Sequence, residues 1–173
     1  MNLLDQFKRI KTFVFDVDGV LTDGSVWVME DRQMLRRMNI KDGYALQLAI
    51  KQGYRILVIS GGSSEAVQVR LERLGITDIH MGVHNKKEVL ETYAAQHSLS
   101  FAEMLFMGDD IPDYIAMQMT GLPCAPADAA PEIRQIAKYI SAIEGGYGCA
   151  RDVIEKVLKL NDHWPLDTEI ASK

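Results

Sequence analysis

The chain has 173 residues, which at roughly 150 residues per domain reads as one domain. Its 47% apolar and 25% charged residues exclude a disordered or low-complexity chain, and about 70% of the unfolded surface of a chain this long is buried on folding. A balance of 19 Lys and Arg against 24 Asp and Glu leaves a net charge of −5. That argues against a nucleic-acid partner, yet it leaves room for an anionic substrate held by local positive charge. No stretch approaches the ~18 apolar residues of a membrane span, and Met1-Asn2-Leu3-Leu4-Asp5 lacks the basic start of a leader. No membrane association is expected, and the expected location is cytoplasmic. Cys124 and Cys149 are too few for a disulfide framework and read as small apolar residues.

In chain order, Thr12-Phe13-Val14-Phe15 is β-branched and aromatic and ends at Asp16. Residues 25–38 follow, rich in strand formers at their start and polar at Glu30-Asp31-Arg32. They read as a β-hairpin turning near Glu30-Asp31. Its Val26, Val28, Met29, Met34 and Leu35 are too apolar to stand alone in water. The hairpin is therefore expected to pack on its own domain or on a partner chain. Residues 44–52 carry Leu46, Ala49 and Ile50 at helical spacing and stop at Gly53. Arg55-Ile56-Leu57-Val58-Ile59 is a second apolar run, ending at Ser60. Residues 63–74 place Val67, Leu71 and Leu74 on one helical face, with Gly75 as a stop. Residues 86–97 do the same with Leu90, Tyr93 and Ala94. Met104-Leu105-Phe106-Met107 is the third apolar run, and 152–160 is a last helix with Val153, Ile154, Val157 and Leu158.

Continuous apolar runs suit central strands of a parallel sheet, and their alternation with helices gives an α/β fold. The expected architecture is a Rossmann-like parallel sheet with helices on both faces and a projecting β-hairpin. Residues 1–160 form the single domain, and the polar, unpatterned 161–173 form a mobile tail. In such sheets ligands bind outside the carboxyl ends of the strands. Here the first run ends in Asp16-Val17-Asp18-Gly19, the second in Ser60-Gly61-Gly62 and the third in Gly108-Asp109-Asp110, with Asp113 one turn later. Lys86 opens a helix after Gly82-Val83-His84-Asn85. Several carboxylates on one rim repel unless a cation holds them, and hard oxygen ligands select Mg²⁺. Asp16 and Asp109 are the first choices as side-chain ligands. His80, His84, His97 and His163 lack metal-ligand spacing and read as structural or solvated.

These residues, in this order, resemble the haloacid dehalogenase superfamily of phosphotransferases. Asp16-Val17-Asp18-Gly19-Val20-Leu21-Thr22-Asp23-Gly24 is similar to its first motif. Ser60, Lys86 and Gly108-Asp109-Asp110-Ile111-Pro112-Asp113 fit the second, third and fourth. The resemblance covers residues 7 to 160, and no large insertion follows the first or third motif, which implies a member with no cap domain. Three more stretches resemble its subgroup of 3-deoxy-D-manno-octulosonate 8-phosphate phosphatases. They are Asp23-Gly24-Ser25-Val26-Trp27-Val28, Asn39-Ile40-Lys41-Asp42-Gly43-Tyr44 and Gly145-Gly146-Tyr147-Gly148-Cys149-Ala150-Arg151.

The resemblance implies roles. Asp16 is the nucleophile that forms an aspartyl phosphate, and Asp18 is the general acid and base. Ser60 and the Gly61 N–H donate to the phosphoryl oxygens, and Lys86 supplies a positive charge. Mg²⁺ is held by Asp16, Asp109 and the Asp18 backbone carbonyl, while Asp110 and Asp113 support the ligands from behind. Asn39, Lys41, Asp42 and Gly43 align with substrate-contacting loop positions, and Arg70 with an arginine that meets the sugar acid. Arg151 is a further candidate through the glycine-rich segment. The implied substrate is an eight-carbon keto sugar acid phosphate of lipopolysaccharide sugar synthesis. The implied assembly is a homotetramer whose hairpins associate and help close neighbouring sites. In one place the sequence departs from the pattern: relatives commonly carry an arginine where this chain has Gly62, which opens the identity of the sugar acid, and Arg73 is a candidate substitute. Three other readings stand beside this one: a nine-carbon, sialic-acid-type 9-phosphate substrate, a broad small-phosphomonoester phosphatase, and a non-catalytic oligomerisation module.

Overall fold

The apolar runs form the middle of a six-stranded parallel sheet in a computed structural model that describes residues 2–171. The elements are α1 (Leu3–Lys8), β1 (Thr12–Phe15), β2 (Trp27–Val28), β3 (Met34–Leu35), α2 (Ile40–Lys51), β4 (Arg55–Ile59), α3 (Glu65–Arg73), β5 (Asp78–His80), α4 (Lys86–Gln96), β6 (Met104–Met107), α5 (Tyr114–Met119), β7 (Leu122–Ala125), α6 (Pro131–Ile136), β8 (Tyr139–Ile140) and α7 (Cys149–Leu160). The sheet order is β5-β4-β1-β6-β7-β8. The chain runs outward from β1 through β4 to β5, then returns to the other side of β1 at β6. That reversal places a switch point at the carboxyl end of β1.

Alternation along the strands divides the core in two. Phe13 and Phe15 of β1, Ile56 and Val58 of β4 and Leu105 and Met107 of β6 face α1, α2, α3 and α7. Val14, Leu57, Ile59, Met104 and Phe106 face α4, α5 and α6. Both faces are covered, as the unbroken apolar runs require. No cap domain interrupts the chain: the hairpin β2–β3 is the one excursion between β1 and α2. It turns through Met29–Gln33, where the Met29 N–H donates to the Gln33 carbonyl at 2.9 Å. Trp27 is 70% and Val28 75% exposed, with Met34 and Leu35 open beside them.

The segment 161–171, expected to be a mobile tail, lies along α2; residues 172–173 of that expectation fall outside the described residues. Trp164 and Ile170 pack against the core, the Tyr44 hydroxyl donates to the Asp167 carbonyl and Lys51 pairs with the Asp167 carboxylate at 2.5 Å. A few apolar anchors suffice to dock a polar stretch, and periodicity does not reveal them.

Helix α2 starts at Ile40, earlier than its apolar spacing suggests, because Asn39 caps it by accepting from the Lys41 N–H at 2.8 Å. Asp42 then sits in its first turn, buried against α7, and accepts from the Arg151 N–H at 2.7 Å. Its second oxygen, Oδ2, is buried with no partner. Burial pushes the carboxyl up to about 6, outweighing the hydrogen bond from Arg151 and its charge. An unfolded Asp titrates near ~3.9, so between about pH 4 and 6 the folded chain keeps a proton that the unfolded chain releases. Stability from this group is therefore complete below that window and lost as pH rises through it, by up to roughly 3 kcal/mol. Asp42→Asn keeps an acceptor and removes the charge. In urea unfolding, the stability difference between variant and wild type should move in the variant's favour as pH rises from 4 to 7; a difference that stays flat would contradict the buried-carboxyl account.

Candidate active site

The expected residues converge at the carboxyl rim. Asp16 follows β1, Ser60 follows β4, Asp109 follows β6, and Lys86 opens α4. Ladder bonds carry the strands to their ends: the Asp16 N–H donates to Met107 O at 3.1 Å and the Ser60 N–H to His80 O at 2.8 Å. The cavity there measures about 290 Å³ and is lined by Asp16, Asp18, Ser60, Gly61, Gly62, Lys86, Asp109, Asp110 and Asp113, with Gly24 and Pro112 at its edge.

The loop after β1 is shaped from both ends of the chain. Gly19 has φ +85°, and a Cβ there would lie 2.0 Å from Asp109 Oδ2. Only glycine lets the two metal-side segments approach so closely. Thr22 is buried, and its Oγ1 accepts from the Gly19 N–H at 3.3 Å and the Gly24 N–H at 3.2 Å. Behind the loop stands the glycine-rich segment: a Cβ on Gly145 would fall 1.9 Å from the Gly19 carbonyl oxygen, and the Gly146 N–H donates to Val20 O at 2.9 Å.

Lys86 is the centre of charge. Its side chain is 3% exposed, with Nζ 2.8 Å from Asp16 Oδ1 and 2.6 Å from Asp113 Oδ1. Burial opposes the ammonium, but the two carboxylates hold it above the usual lysine range. Asp16 Oδ1 also accepts from the Val17 N–H at 2.7 Å, and no hydrogen bond from the described residues engages its Oδ2. Asp113 Oδ2 accepts from the Asp109 N–H at 3.0 Å and from the Asp110 N–H at 3.5 Å. Asp110 is exposed and accepts from the Ile111 N–H at 2.8 Å. Ser60 is buried, and its Oγ accepts from the Gly62 N–H at 3.1 Å.

The carboxylates fit a divalent cation. Asp16, Asp109 and Asp113 present oxygens within 4.8 Å of one another. Burial and the charge of Asp113 push Asp16 up to about 6, against the opposing pull of Lys86. Burial and the charges of Asp16, Asp113 and Asp110 push Asp109 up to about 8. Such mutual repulsion is what a bound cation reverses. Both oxygens of Asp113 are already used, so Asp16 and Asp109 are the side chains left to ligate, and an all-oxygen set suits a hard ion such as magnesium.

Several expected residues are not brought here. Asn39 is the α2 cap, and its Nδ2 donates to Gly146 O at 3.4 Å. Asp42 and Gly43 are buried in the first turn of α2, which aims them at α7 rather than at the cavity. Lys41 lines a different cavity, of about 510 Å³, with Tyr147, Gly148 and Arg151. Arg70 and Arg73 line a third, of about 760 Å³, with Met38, Ile40, Ala66 and Val69. Arg70 lies one and a half turns into α3, which carries it away from the N-terminal end of that helix. Within one chain, therefore, none of these residues lines the Asp16 cavity.

One residue at the site had no motif to announce it. Arg36, just past β3, donates from Nε to Asp18 Oδ1 at 2.7 Å and from Nη2 to Asp18 Oδ2 at 3.3 Å. Its neighbour Arg37 points the other way, pairing with Asp23 at 3.0 Å and lying 4.5 Å over the Tyr147 ring. The only sequence signal was a pair of arginines where a strand ends, and a strand sends alternate side chains to opposite sides.

Comparison with known proteins agrees with this geometry. Residues 64–145 match the family of haloacid dehalogenase-like hydrolases. The 3-deoxy-D-manno-octulosonate 8-phosphate phosphatase KdsC of Escherichia coli (strain K12) is 30% identical over 157 residues, covering 91% of this chain and 84% of that protein. The crystal structure of 3-deoxy-D-manno-octulosonate 8-phosphate phosphatase from Yersinia pestis superposes with a TM-score of 0.91 at 28% identity, over 93% of this chain and 87% of the other. The Moraxella catarrhalis phosphatase of the same name, solved with magnesium ion, phosphate ion and a KDO molecule, gives 0.89 at 30% identity, over 92% of each chain. Likeness at this identity, over nearly the whole length and with four strand-end motifs on one rim, has one reading: the chain belongs to the 3-deoxy-D-manno-octulosonate 8-phosphate phosphatase family of haloacid dehalogenase-like hydrolases.

Proposed function

We propose that this chain hydrolyses 3-deoxy-D-manno-octulosonate 8-phosphate to the free sugar acid and phosphate, through an aspartyl phosphate on Asp16, within the cytoplasm and in lipopolysaccharide sugar synthesis. The observation that carries it is the placement of Asp16 in the lining of a charged cavity, one oxygen fixed by Lys86 and the Val17 N–H and the other without a hydrogen bond from the described residues. The magnesium, phosphate and KDO in the Moraxella catarrhalis phosphatase support the metal and the substrate class.

In this reading Asp16 Oδ2 attacks phosphorus in line and the bond to the sugar oxygen breaks. The proton for the departing oxygen comes from Asp18, two residues on. Asp18 then takes a proton from water, whose oxygen attacks phosphorus and breaks its bond to Asp16. Ser60 and the Gly61 N–H receive phosphoryl oxygens at the head of α3, and Lys86 holds charge beside them. Asp16, Asp109 and the Asp18 carbonyl would hold magnesium, which offsets the repulsion between a carboxylate nucleophile and a phosphate dianion. Asp110 and Asp113 act from behind, Asp113 by fixing Lys86.

The substrate's carboxylate needs a partner that the Asp16 cavity does not supply within one chain. Arg70 and the open hairpin suit a homotetramer, in which a neighbouring chain brings its groups to the site. No nucleic-acid or membrane partner is proposed, and no helix among the described residues is long and apolar enough to cross a membrane.

Four outcomes are expected. Asp16→Asn should lower phosphate release by at least about 10³-fold with unchanged circular dichroism; an active variant would exclude the aspartyl-phosphate route. Asp109→Asn should raise the magnesium concentration for half-maximal activity by about 10-fold or more, and metal removal by chelation should abolish turnover until magnesium is restored. Steady-state kinetics on the eight-carbon and nine-carbon keto sugar acid phosphates side by side should favour the eight-carbon acid in kcat/KM; the reverse order would move the enzyme to sialic-acid-type chemistry. Deleting residues 29–33 at the hairpin tip should weaken assembly in sedimentation analysis and raise KM. A tetramer with unchanged kinetics would remove the composite site.

A further inference from the structure

We propose that Arg36 is a positioning residue for Asp18, and that the absence of a side chain at Gly62 is what admits it. The guanidinium meets both carboxylate oxygens, at 2.7 Å and 3.3 Å. The Arg36 side chain is 9% exposed, although it leaves an exposed hairpin. A forked pair of this kind fixes the plane of a carboxylate as well as its place, and one arm yields its oxygen when Asp18 carries the proton. A side chain at position 62 would crowd the pair and make it shift. A Cβ there would lie 2.8 Å from Asp18 Oδ2 and 3.4 Å from Arg36 Nη2. Position 62 is thus the floor on which the pair rests, next to the Ser60 hydroxyl that accepts from the Gly62 N–H.

Three anchors hold Arg36 in register. Its Nη1 donates to the Met34 carbonyl at 3.2 Å. Met38 is bridged antiparallel to Thr22. Arg37 is fixed on the outer side by Asp23 and the Tyr147 ring. The base of the hairpin is therefore tied to the loop that carries Asp18, and the carboxylate is set by a strand rather than by its own short side chain. This assigns to Gly62 and Arg36, not Arg73, the chain's departure from the second-motif pattern.

The inference rests on the reading of Asp18 as acid and base, and the test separates the two. Asp18 matters most where the leaving oxygen needs a proton, and least for p-nitrophenyl phosphate, whose leaving group is stable as an anion. Asp18→Asn should lower kcat on 3-deoxy-D-manno-octulosonate 8-phosphate far more than on p-nitrophenyl phosphate. Arg36→Ala should copy that split at smaller size: about 10- to 100-fold on the sugar phosphate, as for a group displaced by about 1 Å, and less than about 3-fold on p-nitrophenyl phosphate. Arg36→Lys should recover part of the loss. Gly62→Ala, which crowds the same carboxylate while keeping the Arg36 side chain, should show the same split and serves if Arg36→Ala does not fold. In the Asp18→Asn background Arg36→Ala should add nothing, because the two act as a unit. Equal losses on both substrates, or losses that multiply across the two positions, would overturn the role of Arg36 while leaving Asp18 as read. An Asp18→Asn variant without the split would remove the acid–base reading and the inference with it.

Discussion

A buried ammonium joins the three parts of the rim. Lys86 enters from α4, Asp16 from β1 and Asp113 from the turn after β6, and they meet within 2.8 Å at a point almost closed to water. Each group alone would be costly there. A lone charge in such a place costs several kcal/mol, while a bonded set with its remaining lone pairs used is tolerated. The structure completes the set: Asp113 Oδ2 takes two backbone N–H groups and Asp16 Oδ1 takes a third. Lys86 is also the first residue of α4, where the helix dipole disfavours a cation. The two carboxylates outweigh that local preference, and a rule broken locally is expected where function is placed.

The consequence is a surplus of negative charge, one ammonium against three carboxylates. Lys86 neutralises one carboxylate of the pair it bridges. Asp109 remains beside them, and burial with its acidic neighbours drives it up to about 8. The rim is therefore prepared for a further source of positive charge, and an all-oxygen set decides its kind. The carboxylates stand on a rigid frame, because the strands that carry them are buried on both faces. Preorganisation of this sort is what lets fixed groups act on a developing charge without rearranging.

Much of this was legible in the sequence, for physical reasons. Strands β1, β4 and β6 announce themselves as apolar runs because both of their faces are covered. β7 does not, since Pro123 lies within it, opposite Phe106 of β6. β5 and β8 are too short to show a pattern, and α5 and α6, of six residues each, complete fewer than two turns. Asp16, Ser60 and Asp109 were readable because strand ends fix where they point, and Lys86 because it opens a helix on the same rim. The place of Asp42 was not legible, because an acidic residue beside a family motif looks the same whether it faces a ligand or the N-terminus of α7. Arg36 was unreadable because its meaning lies wholly in a contact across the fold. Neither its type nor its spacing distinguishes it from Arg37, which faces away.

The glycine-rich segment gives the enzyme an order of assembly. Gly145 rests against the Gly19 carbonyl with no room for a Cβ, and the Gly146 N–H and the Cys149 thiol both bond to Val20 O. The loop that follows Asp16 is thus moulded by residues made more than a hundred positions later. Contacts of such long sequence separation form late in folding. A nascent chain still held at the ribosome can possess Asp16, Asp18, Ser60, Lys86 and Asp109 and yet lack the wall against which their loop takes shape. Catalytic competence is in this sense a property of the finished chain, acquired when its last helix docks.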